Sequence, residues 1–195
     1  MQITEFDSHK VALVAIGEGS ESMLTPTDRA YIATLTADKR RAEQLAWRTA
    51  LRSLIGSTPE IGYLPSGAPH LIGSEWQISV SHNTHYAAVV VGPTKCGIDI
   101  ESTARNFARV SSRYISPREE LLPESSHPLF RPLLWSAKEA IYKYLATEGV
   151  DFLQDIIITS IDLPHCTLRA EFRSTPLPDI LFKEVGGNNI LCLIR

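Results

Sequence analysis

The 195-residue sequence predicts an α+β protein made of two halves of about equal length. Three observations predict it. Short branched apolar runs, residues 11–16 and 86–91, have strand length. Two longer segments, Asp38–Ile55 and residues 129–146, carry apolar residues at helical spacing. The tail holds four strand-like segments with no helix between them, as an antiparallel sheet requires. Gly92-Pro93 breaks the chain, giving residues 1–93 and 94–195 as two halves without a literal repeat.

Residues 11–16 close at Gly17 and read as a buried strand. Thr25-Pro26 opens a helix, with Pro26 at its first position and Asp28 in its first turn. The stronger helix Asp38–Ile55 stops at Gly56, and its Ala42, Leu45, Ala46, Trp47, Ala50, Leu51 and Leu54 form a broad apolar face. At about 100° per residue, Arg41, Arg48 and Arg52 fall close together on its side. The Gly- and Pro-rich residues 62–73 predict a loop with a short hairpin. Strands follow at 76–80 and 86–91, joined by the polar turn Ser81-His82-Asn83-Thr84-His85. The second run is nearly all apolar, as a strand buried on both faces would be.

Residues 96–101 read as a strand with Ile98 and Ile100 on one face and Asp99 and Glu101 on the other. Phe107, Val110 and Tyr114 suit a helix, and Ser116-Pro117-Arg118-Glu119 has the form of a capping box. After the helix at 129–146 come strands at 156–161, 166–172, 180–185 and 190–194, with Gly186-Gly187-Asn188-Asn189 as a hairpin turn.

A formal net charge of −3 gives no wholesale attraction to nucleic acid or an anionic membrane. Cys96, Cys166 and Cys192 are odd in number and far apart, without zinc spacing, which disfavours a disulfide framework. The first residues lack a basic region followed by an apolar run, and no run is long enough to span a bilayer. A soluble, cytoplasmic monomer is the expectation.

Strand periodicity puts the Asp99 and Glu101 carboxylates on one face, a few ångströms apart. Such a pair repels itself unless a cation neutralises it, and oxygen-only ligation suits Mg²⁺; alone, however, it also fits a solvated acidic face. Glu139 and Lys143 lie one helical turn apart with Ser136 near them, which also fits an ordinary surface ion pair. His82, closing Ser79-Val80-Ser81-His82 at a strand end, can contact phosphate or merely cap a turn. The arginine stripe offers planar donors to phosphate oxygens, or is a solvated helix face. No Gly-x-Ser-x-Gly elbow exists, so hydrolase chemistry has no support.

The order and spacing of these features resemble the 4′-phosphopantetheinyl transferases, specifically the larger single-chain, surfactin-synthetase-activating type. The resemblance runs from about Asp38 to Ala146. It rests on Ala46-Trp47-Arg48-Thr49-Ala50-Leu51, Gly67-Ala68-Pro69, Ile78-Ser79-Val80-Ser81-His82, Gly97-Ile98-Asp99-Ile100-Glu101, Tyr114-Ile115-Ser116-Pro117-Arg118-Glu119 and Trp135-Ser136-Ala137-Lys138-Glu139-Ala140 with Lys143.

The resemblance implies two similar α+β halves related by a pseudo-twofold, with the site between them. It implies transfer of 4′-phosphopantetheine from coenzyme A to a serine of an acyl or peptidyl carrier protein, releasing 3′,5′-ADP. Asp99, Glu101 and Glu139 would hold Mg²⁺. Glu139 and Lys143 would be catalytic, while Arg41, Arg48, Ser81, His82 and Lys138 would bind the coenzyme. Two positions depart from the family: Ala68 stands where a loop lysine is usual, and Asn83 where Ser or Thr is. Ala68 motivates the alternative of a non-catalytic module that binds coenzyme A or a carrier protein.

Overall fold

The computed structural model describes all 195 residues, which divide into two compact units, Met1–Cys96 and Gly97–Arg195. Strands, all in antiparallel pairs, and three α-helices make the fold α+β.

The first unit opens with strands β1 (Gln2–Phe6) and β2 (His9–Ala15) and helices α1 (Pro26–Ala33) and α2 (Asp38–Ile55). The short hairpin β3 (Ile61–Tyr63) and β4 (Pro69–Leu71) follows, then β5 (Gln77–His82) and β6 (Tyr86–Gly92). Its main sheet has the order β1-β2-β6-β5. Helix α2 lies on β2 and β6, where Ala46, Trp47, Ala50 and Leu51 meet Ala12, Val14, Ala87, Val89 and Val91 in an apolar core. Thr25 and Asp28 form a reciprocal capping box at the start of α1, with Pro26 in its first turn. Gly56 ends α2 at φ +71°, a left-handed conformation that costs glycine nothing.

The second unit contains β7 (Gly97–Ser102), α3 (Phe130–Leu145), β8 (Ile156–Asp162), β9 (Thr167–Phe172), β10 (Thr175–Pro176), β11 (Ile180–Val185) and β12 (Asn189–Ile194). Its sheet runs β10-β9-β11-β12-β7, with β8 paired to β9. Helix α3 packs on β7 and β12. Leu133, Leu134, Ala137, Ala140 and Ile141 of the helix join Ile156, Leu168, Ile180 and Ile190 in the core.

Two local expectations are corrected and one strand is new. Residues 107–114 form two 3₁₀ turns, Phe107–Arg109 and Ser111–Arg113, and no α-helix. Phe107 and Tyr114 are both buried and Val110 packs against the same core, so the spacing read as helical is met by two short turns instead. The Ser116/Glu119 box makes both of its bonds but opens onto the 3₁₀ turn Glu119–Leu121. Strand β1 has no counterpart in the sequence reading, because its mostly exposed residues carry no buried period. No helix is long and apolar enough to cross a membrane, and the cysteines form no disulfide.

Candidate active site

The acidic face of β7 is not a solvated one, because α3 covers it. Gly97 permits the close approach: a Cβ there would lie 2.1 Å from the Ala140 carbonyl oxygen and 2.7 Å from the Tyr144 nitrogen. Ser136, Glu139 and Lys143 recur at three- and four-residue spacing, so one side of α3 presents all three. Asp99 is 5% exposed. Its Oδ2 accepts a hydrogen bond from Ser136 Oγ at 2.9 Å, and its Oδ1 accepts one from Lys143 Nζ at 2.8 Å. Lys143 also donates to the Ile98 carbonyl at 3.0 Å. Glu101 accepts from Arg105 Nη1 at 3.0 Å.

These groups share one electrostatic environment. Burial first, and then repulsion from Asp99 and Glu101, push the Glu139 carboxyl above the usual range, against the pull of Lys143 and Arg105. Burial also raises Glu101, opposed by its hydrogen bond from Arg105 and reinforced by Asp99. Cys192 pairs with Asp99 across the β12–β7 ladder, and burial drives its thiol strongly upward. Three carboxylates and two cations thus act on one another electrostatically around β7 and α3.

Residues 95–187 match the family model described as the 4′-phosphopantetheinyl transferase superfamily. Residues 95–187 carry a domain of that superfamily. No curated protein gives a match to the chain. Superfamily membership implies a transferase that moves phosphopantetheine onto carrier proteins, with coenzyme A as its substrate.

Within this phosphopantetheinyl transferase domain the fit to a divalent cation lies in donor chemistry. Asp99, Glu101 and Glu139 offer oxygen only, the set that Mg²⁺ takes, and burial with mutual repulsion makes their charges costly without a cation. The side chains do not converge as a preformed cage: no group of three His, Cys, Asp or Glu is placed to hold a metal.

Lys138, the expected coenzyme ligand on α3, is turned into the interior. Its ammonium is fully buried and donates to Glu119 at 2.9 Å, the Tyr114 carbonyl at 2.6 Å and the Phe152 carbonyl at 2.8 Å. An ammonium has three donors, and all are used inside the unit.

The matched region begins at residue 95, so the expected coenzyme ligands of the first unit stand on geometry alone. Arg48 is 2% exposed and enclosed by the rings of Tyr31 and Trp47, at 4.5 and 4.3 Å. It donates to Gln44 at 2.8 Å and to the Tyr63 hydroxyl at 3.0 Å, and its Nε lies 3.4 Å from Asp28. Arg52 reaches the same carboxylate at 2.7 Å. The stripe is therefore neither a solvated face nor a row of open donors at these two positions; it fastens α1 to α2. Arg41 is exposed and donates to the Leu35 carbonyl at 2.6 Å. His82 ends β5 with Nδ1 at 3.7 Å from Glu43, and Ser81 is buried beside it. About 140° of helix separates Glu43 from Arg48 on α2, so the His82 side and the Arg48 side of that helix face apart. Asn83 closes the β5–β6 turn, its Oδ1 accepting from the amides of His85 and Tyr86 at 2.7 and 2.9 Å. Ala68 sits in the exposed turn between β3 and β4.

The sequence reading missed Arg105. It lies in a turn after β7, where no strand or helix period ties it to Glu101.

Proposed function

We propose that the chain transfers the 4′-phosphopantetheine group of coenzyme A to a serine hydroxyl of an apo acyl or peptidyl carrier protein, releasing 3′,5′-ADP, with Mg²⁺ required. The observation that carries this reading is the junction of Asp99, Glu101, Glu139 and Lys143 inside the superfamily domain. Bound there, the metal would neutralise diphosphate oxygens, and Asp99, Glu101 and Glu139 would hold it.

The chain's own residues supply the rest. Glu139, or a water it orients, takes the proton of the carrier serine; burial and the neighbouring Asp99 and Glu101 raise its proton affinity, which strengthens it as a base. The serine oxygen then forms the new bond to phosphorus, and the bond to the departing 3′,5′-ADP phosphate breaks. Lys143 is fixed beside Asp99 and offers a positive charge to the reacting phosphate. Ser136 holds the second oxygen of Asp99 and keeps that carboxylate oriented. On the first unit, His82, Ser81 and the exposed Arg41 are the groups proposed to meet the coenzyme; Arg48 and Lys138 serve the interior. The larger single-chain subtype and a cytoplasmic, monomeric protein are parts of the same proposal.

Incubation with fluorescent coenzyme A, Mg²⁺ and a panel of apo carriers tests it. Labelling of at least one carrier, abolished by Glu139→Gln, is the expected result; no label on any carrier overturns the reading. Ala68, exposed and unable to donate a charge to phosphate, favours the second reading of a binding module. Calorimetry separates the two, since a module binds coenzyme A or carrier and turns over neither.

A further inference from the structure

Glu101 is the carboxylate of the site that stands nearest the end of its strand. Strand β7 stops at Ser102, and Glu101 is only partly buried. A glutamate in such a place has several rotamers within reach, and a ligand-holding carboxylate needs one of them. The molecule supplies a device that selects it. Just past the strand the chain turns back, with the Arg105 amide donating to the Ser102 carbonyl at 3.2 Å and the Phe107 amide to the Arg105 carbonyl at 3.0 Å. The turn delivers the Arg105 side chain to Glu101, where Nη1 meets Oε2 at 3.0 Å.

The guanidinium is itself held from two further directions. It lies over the Phe107 ring at 5.3 Å and the Trp135 ring at 5.4 Å. Trp135 is wedged in turn between Tyr114, edge-on at 5.1 Å, and Phe152 at 5.9 Å. It also immediately precedes Ser136, which orients Asp99. A planar cation that stacks on rings while donating in its own plane is what arginine offers and lysine does not. An incidental surface ion pair would need none of these supports.

We infer that Arg105 is a positioning residue for Glu101, a clamp that fixes the carboxylate for the divalent cation. The inference rests on the reading of Asp99, Glu101 and Glu139 as the metal-holding set. Arg105 acts through Glu101 and not on the substrate. Its planar shape carries the role, since its charge alone would weaken cation binding.

That separation of shape from charge dictates the experiment. Arg105→Lys keeps the charge and loses the planar fork. Mn²⁺ is titrated into the metal-free full-length protein and followed by electron paramagnetic resonance, with no turnover involved. Groups that hydrogen-bond a metal ligand typically govern affinity by about tenfold or more, so Arg105→Lys is expected to weaken Mn²⁺ binding by about tenfold. In a Glu101→Gln background the same substitution should change nothing further, because the clamp has lost its object.

Native-like Mn²⁺ affinity in Arg105→Lys overturns the inference and leaves the metal reading intact. Full additivity with Glu101→Gln also overturns it. A metal-free melting temperature lowered more by Arg105→Lys than by Glu101→Gln would show a structural residue instead. Failure of the native protein to bind Mn²⁺ removes the metal reading and the clamp with it, so the two failures are distinguishable.

Discussion

Helices α2 and α3 each lie on a sheet and each bury cations, yet they use them differently. On α2, Arg48 and Arg52 converge on one acid from α1, and aromatic rings close over Arg48. On α3, two lysines five residues apart divide the work. Lys138 is 0% exposed and saturated by Glu119 and two carbonyls; Lys143 keeps 25% of its side chain exposed beside Asp99. The difference teaches how to sort a charged residue. A cation that is sealed and fully bonded fastens elements together. One left at the rim, with its acid partner among other acids, is the kind that the proposed site requires.

The largest expected effect tests the sealed class. Lys138→Met leaves the Glu119 carboxylate buried without its cation and should cost about 4 kcal/mol in chemical denaturation. Adding Glu119→Gln should restore much of that loss; no restoration would break the assignment of the pair as a fastener. Asp28→Asn strands two guanidiniums and should cost about 3 kcal/mol. It carries a pH signature as well. Burial alone would raise Asp28, but Arg52 and Thr25 overcome it and hold the carboxyl below its ordinary range. Stability from Asp28 is therefore present above the unfolded value, near 3.8, and is lost as pH falls through the lower folded value. Acid unfolding of the native protein should show this loss, and Asp28→Asn should not.

Gly97→Ala comes next. The added methyl meets the Ala140 carbonyl, so α3 must lift from β7 at a cost of about 2 kcal/mol, with Mn²⁺ affinity falling in step. Loss of stability without loss of metal affinity would show that the helix–strand distance does not set the site. The smallest effect sharpens the rim class. Glu139 has its proton affinity raised by burial and by Asp99, so its contribution favours the fold at low pH and is lost as pH rises through the folded value. Its charged form is the one that burial and Asp99 disfavour. Glu139→Gln should therefore raise the metal-free melting temperature by a degree or two, under about 1 kcal/mol, while transfer disappears.

Much of the frame was legible because periodicity reports burial. Asp38–Ile55 and Ile180–Val185 agree with the sequence reading at both ends. Strand β1 was not, since an exposed strand has no pattern to read. In the site, spacing correctly grouped Asp99 with Glu101 and Ser136 with Glu139 and Lys143 by face. It gave no means to tell Lys138 from Lys143, because a helical period places side chains on faces but does not report the depth of what packs there. The fate of Lys138 depends on Glu119, nineteen residues earlier, and on the Phe152 carbonyl, fourteen later. The burial of Arg48 was illegible for the same reason: its enclosure is made by Tyr31 and Tyr63, which no local rule joins to it.

Strand β7 has one sheet partner, β12, and residues Asn189–Ile194 pair with it along its whole length. Asp99 and Glu101 thus have a defined backbone only once a segment about ninety residues downstream has docked beside them. Closing so long a loop is slow, and local elements such as α3 can form well before it. The carboxylates of the proposed site are therefore expected to gain their fixed backbone late in the folding of this unit, and any lesion that unzips β12 should release them without touching one of them.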